Sequence, residues 1–86
     1  MKELLEYMVK ELVDNPEEVD ITEEPEGDKT VIFKLHVAEN DLGKVIGKKG
    51  RTANALRVIM RAASAKRGKS SIVKIIDWFI FYNLYR

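Results

Sequence analysis

Two glycines three positions apart, Gly47 and Gly50, interrupt two segments of helical periodicity inside the stretch Val45-Ile46-Gly47-Lys48-Lys49-Gly50-Arg51-Thr52. No other feature of the chain limits its fold as much. Glycines at this spacing let the backbone turn tightly and leave no Cβ in the way of a ligand. The segment after Gly50 opens a long helix, so its first free N–H groups and the positive end of its dipole face the same opening. Lys48 and Lys49 set two mobile positive charges beside it. A phosphodiester fits such an opening. Two other glycine signatures fail here. A dinucleotide fingerprint needs a glycine where Val45 stands, and a Walker loop starting at Gly43 needs a glycine at position 48 followed by Lys-Ser/Thr.

The distribution of charge points the same way. The chain is nearly neutral, with 15 Lys and Arg against 14 Asp and Glu. Residues 1–41 hold four bases and thirteen acids, whereas residues 42–76 hold ten bases (Lys44, Lys48, Lys49, Arg51, Arg57, Arg61, Lys66, Arg67, Lys69 and Lys74) and no acid. A segment with ten cations and no carboxylate is an electrostatic footprint for polyanions, and the glycine loop lies inside it. The plainer reading is a solvated basic helix.

With 86 residues, 45% of them apolar, there is material for one small domain and one modest core. The chain has no cysteine, so neither disulfides nor thiolate zinc sites are expected, and a reducing compartment fits. The acids in Met1-Lys2-Glu3-Leu4-Leu5-Glu6 stand where a secretory leader needs an apolar run, which points to the cytoplasm. Residues 75–82, broken by Asp77, fall well short of the ~20 residues of a membrane span.

Leu5, Met8 and Leu12 recur at helical spacing with Leu4, Val9 and Val13 beside them, until Asn15-Pro16 ends the run. Val19 and Ile21 then alternate with polar residues, Pro25-Glu26-Gly27-Asp28 supplies turn chemistry, and Val31, Phe33, Leu35 and Val37 alternate again, predicting a hairpin. Asn40-Asp41 predicts the start of a short helix through Ile46. A long helix is expected over 51–66, closed by Gly68. A largely buried strand is expected over 70–77, where Ile72, Val73, Ile75 and Ile76 fall.

This order, helix, strand, strand, helix, Gly-x-x-Gly, helix, strand, resembles the type II KH arrangement, an α+β fold with a three-stranded sheet and helices packed on one face. The resemblance is closest to the small bacterial single-domain KH proteins of the KhpA family, and it covers roughly residues 1–77. It rests on Asp14-Asn15-Pro16-Glu17-Glu18-Val19, on Gly43-Lys44-Val45-Ile46-Gly47-Lys48-Lys49-Gly50-Arg51 and on Arg61-Ala62-Ala63. The resemblance implies a single-stranded RNA-binding module, an RNA chaperone or post-transcriptional regulator, whose Gly-x-x-Gly loop clamps the backbone of about four nucleotides. Carried over, Lys48 and Lys49 face the phosphates. Gly43 and Ile46 flank an apolar groove for bases, with Lys44, Gly47, Gly50 and Arg51 completing the site. The family also implies a homodimer, or pairing with a larger KH-containing protein; no cofactor is expected.

Particular residues admit other readings. Asp20, Glu23, Glu24, Glu26 and Asp28 read as solvated carboxylates of a hairpin and not as a metal site. His36, the only histidine, falls on the strand face opposite Phe33 and Leu35 with no nucleophile near it in a recognisable pattern, so no catalytic site is expected. On the long helix Asn54, Arg57, Arg61 and Ser64 fall within a polar arc of roughly 80°, while apolar residues spread over roughly 240°, far more than packing on one sheet requires. The alanines in that spread can be plain helix formers. Alternatively Ala55, Val58, Ile59 and Ala62 form a second contact stripe. An adaptor that assembles through this stripe and binds RNA only incidentally is the rival function. A duplex-DNA reader is another, and it requires Arg51, Asn54 and Arg57 to reach base edges. Residues 78–86 carry five of the seven aromatics and form an extension beyond the family pattern, with packing expected over base stacking.

Overall fold

The computed structural model describes residues 1–76. Helix α1 (Lys2–Leu12) buries Leu5 and Val9, one turn apart, and ends where Val13 turns extended ahead of the 3-10 turn Pro16–Glu18. Strand β1 (Asp20–Glu26) pairs antiparallel with β2 (Thr30–His36), in register from Asp20 opposite His36 to Glu26 opposite Thr30. A 3-10 turn (Glu39–Asp41) leads into the five-residue helix α2 (Leu42–Ile46), and the glycine loop then delivers α3 (Arg51–Ala65). Gly68, with φ of 70°, closes α3: the Lys69 N–H reaches the Ser64 carbonyl at 3.0 Å and the Gly68 N–H reaches that of Ala65, a Schellman ending. Strand β3 (Ser70–Ile75) returns parallel to β2, giving the sheet order β1-β2-β3.

The helices cover one face of this sheet. Val31, Phe33 and Leu35 alternate inward along β2 and meet Leu5 and Val9 of α1, Val45 of α2, Leu56 and Met60 of α3, and Val73 of β3 in a single core. The predicted order of elements and the α+β class hold. No helix among the described residues is long and apolar enough to cross a membrane.

Four local expectations need correction. Pro25 and Glu26 belong to β1, paired with Val31 and Thr30, so the turn is only Gly27-Asp28-Lys29. A proline is tolerated there because β1 is an edge strand, free to lack a ladder donor. Strand β3 is not largely buried: Val73 alone is fully enclosed, and Ile72 lies 42% exposed on the face that the helices leave open. Its β-branched run reflects strand geometry more than burial. Ser64 does not join a polar arc. It is fully buried, its hydroxyl donating to the Met60 carbonyl at 2.8 Å, which satisfies it within its own helix. Asp41 precedes α2 as expected but makes no side-chain cap to it. Asp77, expected to end the last strand, and the extension 78–86 lie outside the described residues.

Candidate nucleic-acid interface

Helix α2 stops at Gly47, whose N–H still reaches the Gly43 carbonyl at 2.8 Å while its own backbone swings to φ 75°, ψ 172°. That combination is open essentially to glycine alone. A Cβ there would fall against the Thr52 hydroxyl and 2.7 Å from the Thr52 Cβ, far inside contact distance. The return to helix runs through Lys49 (φ 58°, ψ 25°) and Gly50 (φ 76°, ψ 13°), two successive left-handed residues. Lys49 is the one described non-glycine residue with positive φ, an unfavourable conformation of the kind that clusters at functional sites. Gly50 has open space where its Cβ would be. The two glycines thus serve different needs: Gly47 a close approach to Thr52, Gly50 only a torsion.

Lys48, Lys49 and Arg51 are exposed. The ion pairs among the described residues use the Met1 amine, Lys10, Lys34 and Lys44 as cations, so the loop cations meet no described carboxylate. Gly43 and Ile46, three apart on α2, face outward: a Cβ on Gly43 would meet nothing within 4 Å, and Ile46 is 37% exposed. Gly43, Ile46, Lys48, Lys49 and Arg51 are each open to solvent, whereas Lys44 is engaged in ion pairs.

Lys44 is held by two carboxylates of the acidic half. Its ammonium contacts the Asp14 carboxylate and lies 3.9 Å from Asp41, and the Asp14 hydrogen bond, more than the mutual attraction, holds its pKa above the usual lysine value. Asp41 is fully buried and accepts the N–H groups of Asp14 (3.0 Å) and Asn15 (2.9 Å) and the Asn15 carboxamide (3.0 Å). Burial pushes the Asp41 carboxyl up, but those donors and Lys44 outweigh it and hold it below its ordinary value. The segment Asp14-Asn15-Pro16 thereby acquires a physical role, since it presents two backbone donors to the residue from which α2 begins. Residue spacing gave no sign of this clamp, because its donors are backbone atoms 26 and 27 positions away.

On the other side of α3, Arg57 is half-buried against β3. Its Nε donates to the Val73 carbonyl and its Nη1 to Asn54 Oδ1, each at 3.3 Å. A duplex reader needs Arg57 free to enter a groove, and here it is folded back onto the sheet. The helical wheel carried this signal, since Arg57 sits about 100° from the buried Leu56, at the margin of the packed face. Among the described residues no group of three acidic or histidine side chains is placed to hold a metal.

A mixed three-stranded sheet with helices on one face, and two of those helices joined through Gly-x-x-Gly, defines a type II KH domain. The chain belongs to the KhpA/KhpB KH-domain family, whose pattern matches residues 2–75. It is similar to the RNA-binding protein KhpA of Clostridium acetobutylicum, 49% identical over 76 residues that cover 88% of this chain and all of that protein. The RNA-binding protein KhpA of Aquifex aeolicus is 48% identical over 77 residues, covering 90% of this chain and 96% of the relative. The protein of the same name from Chlamydia trachomatis is 43% identical over 77 residues, covering 90% and 97%. No solved structure matches the chain.

Proposed function

We propose that this chain is a single-stranded RNA-binding module, working in the cytoplasm as an RNA chaperone or post-transcriptional regulator and catalysing no reaction. The observation that carries the reading is the loop itself: two exposed lysines without a described acidic partner, on a backbone that glycine opens, at the start of a 15-residue helix. The names of its relatives as RNA-binding proteins support the substrate class. Lys48 and Lys49 hold phosphates through charge, Gly47 and Gly50 let the backbone come close, and Arg51 adds a third cation. Gly43 and Ile46 offer bases an apolar wall. Lys44 contributes by fixing α2 to Asp14 and Asp41 more than by touching RNA. The KH domain spans residues 1–77 in this reading, followed by the extension 78–86.

Replacing both Lys48 and Lys49 by Asp tests the assignment. Affinity for a single-stranded RNA octamer, followed by fluorescence anisotropy, should fall by more than about a hundredfold, some 2.7 kcal/mol, with circular dichroism unchanged. If about three phosphates are neutralised, wild-type affinity should fall with log salt at a slope near −2. Unchanged affinity in the double variant refutes the loop as the RNA grip.

The adaptor reading keeps one specific observation. Val58 and Ile59 are 59% and 43% exposed, with Ala55 and Ala62 exposed beside them, leaving the second apolar stripe of α3 uncovered by any described residue. We take this stripe as the surface for a homodimer or for a larger KH-containing partner. If the adaptor reading holds instead, partner binding survives the Lys48 and Lys49 substitutions and is lost when the stripe is charged.

A further inference from the structure

We infer that Arg57 selects the base seated beside β3, favouring cytosine and guanine over adenine and uracil, an inference that rests on the single-stranded RNA reading above. Strand β3 ends the sheet among the described residues. The N–H groups of Ser70 and Ile76 point into the sheet, to the carbonyls of Lys29 (2.7 Å) and Leu35 (2.8 Å). In a parallel ladder the alternate residues then turn both backbone groups the other way, so Ser71, Val73 and Ile75 present theirs at the outer edge. It is there that Arg57 reaches, from α3 across to the Val73 carbonyl.

Two anchors fix the guanidinium: Nε on Val73 and Nη1 on Asn54 Oδ1. Of five N–H donors, three remain. Arg57 stands seven positions after Gly50, about 10 Å along the helix, so a strand gripped at the loop brings an adjoining base to this seam. A planar fork held in place pairs best with two neighbouring acceptors. Cytosine offers O2 beside N3 and guanine O6 beside N7. Adenine sets an amino donor beside N7, and uracil separates its two carbonyls by an N–H, so each directs a donor at the cation. The backbone of β3 can accept or donate to any base, whereas Arg57 only donates, and the selectivity follows from that asymmetry.

The test uses the full chain and uridine octamers whose two central positions are U, C, G or A, with affinity read by anisotropy. The wild type should bind the C and G octamers about tenfold more tightly than the A and U octamers. Arg57→Ala and Arg57→Lys should bring all four within about twofold of one another, at the affinity of the wild type for A and U, with the salt slope and thermal midpoint kept. Arg57→Lys retains charge and length but lacks the fork, so its loss of preference isolates the planar contact. Equal binding of all four octamers by the wild type, a preference surviving in both variants, or a proportionate weakening of all four overturns the inference while leaving the loop grip standing. Absence of binding to every octamer overturns the RNA reading itself.

Discussion

Residues 1–41 and residues 42–76 contribute to one core and carry opposite charge. Phe33 and Leu35 from the first pack against Val45, Leu56 and Met60 from the second, and β2 pairs with β3 across the division. Yet the first carries thirteen acids against four bases and the second ten bases and no acid. Packing does not call for this separation, and gathering ten like charges in one segment raises self-repulsion in the folded state. A charge pattern that the core does not require belongs to the use of the surface, and the glycine loop lies within the basic half. Contact between the opposite charges is concentrated at one seam, where Lys44 meets Asp14 and Asp41.

The largest expected effect comes from breaking the backbone of the basic half. Gly47→Ala adds a torsion cost of order 1–3 kcal/mol to a clash with Thr52 that overpacks by a similar amount, so a destabilisation near 3 kcal/mol or more is expected. Gly50→Ala meets open space and bears only the left-handed cost of about 1–2 kcal/mol. Urea unfolding of the two variants separates them. A Gly50→Ala protein less stable than Gly47→Ala would contradict the roles given to the two glycines.

A smaller effect is expected on the exposed face of α3, which neither the core nor the loop uses. Val58→Asp should change the stability of the isolated domain by no more than about 0.5 kcal/mol, because Val58 is 59% exposed. The same carboxylate buried without a partner in an interface is strongly unfavourable. Sedimentation velocity should therefore show a wild-type dimer shifted to monomer by Val58→Asp, with unchanged circular dichroism. A wild type that is already monomeric at high concentration removes the stripe as a homodimer contact.

The contrast between the halves was legible in the sequence because charge is additive along a chain, and the elements were legible because their periodicities are local. The glycine loop was legible for the same reason: spacing, charge and helix start fall within eight residues. What escaped is what depends on partners far away. Asp41 looked like a cap for its own helix and instead clamps Asp14 and Asn15. Lys44 looked like a free loop cation and is held by that clamp. Ser64 looked solvated because its type is polar, although one bond to the Met60 carbonyl lets it lie in the core. The parallel pairing of β3 with β2, and the outward edge it creates for Arg57, follow from topology that hydrophobic alternation does not encode.

The seam between the halves gives the smallest expected pH dependence near neutrality, because at neutral pH it is already complete. The folded value of Asp41 is depressed below its ordinary 3.8, so its contribution is fully present above that pH and is lost as pH falls through the folded value. Lys44 is the mirror case: its folded value is raised above 10.5, so its contribution is present below that pH and is lost as pH rises through the folded value. Stability from this seam should thus be flat from about pH 5 to 9 and decline in acid and in alkali for separate reasons. Asp41→Asn should lower stability at neutral pH, because Asn15 and Asp14 lose a charged acceptor, and should flatten the acid decline relative to the wild type. Lys44→Met should instead flatten the alkaline decline and leave most of the acid decline in place, since the backbone donors to Asp41 remain. Urea midpoints measured between pH 2 and 11 for the three proteins distinguish the two limbs. An acid slope in Asp41→Asn as steep as that of the wild type would show that the decline comes from other carboxylates, such as Glu3 at the start of α1, and that Asp41 is not what ties the acidic half to the basic one.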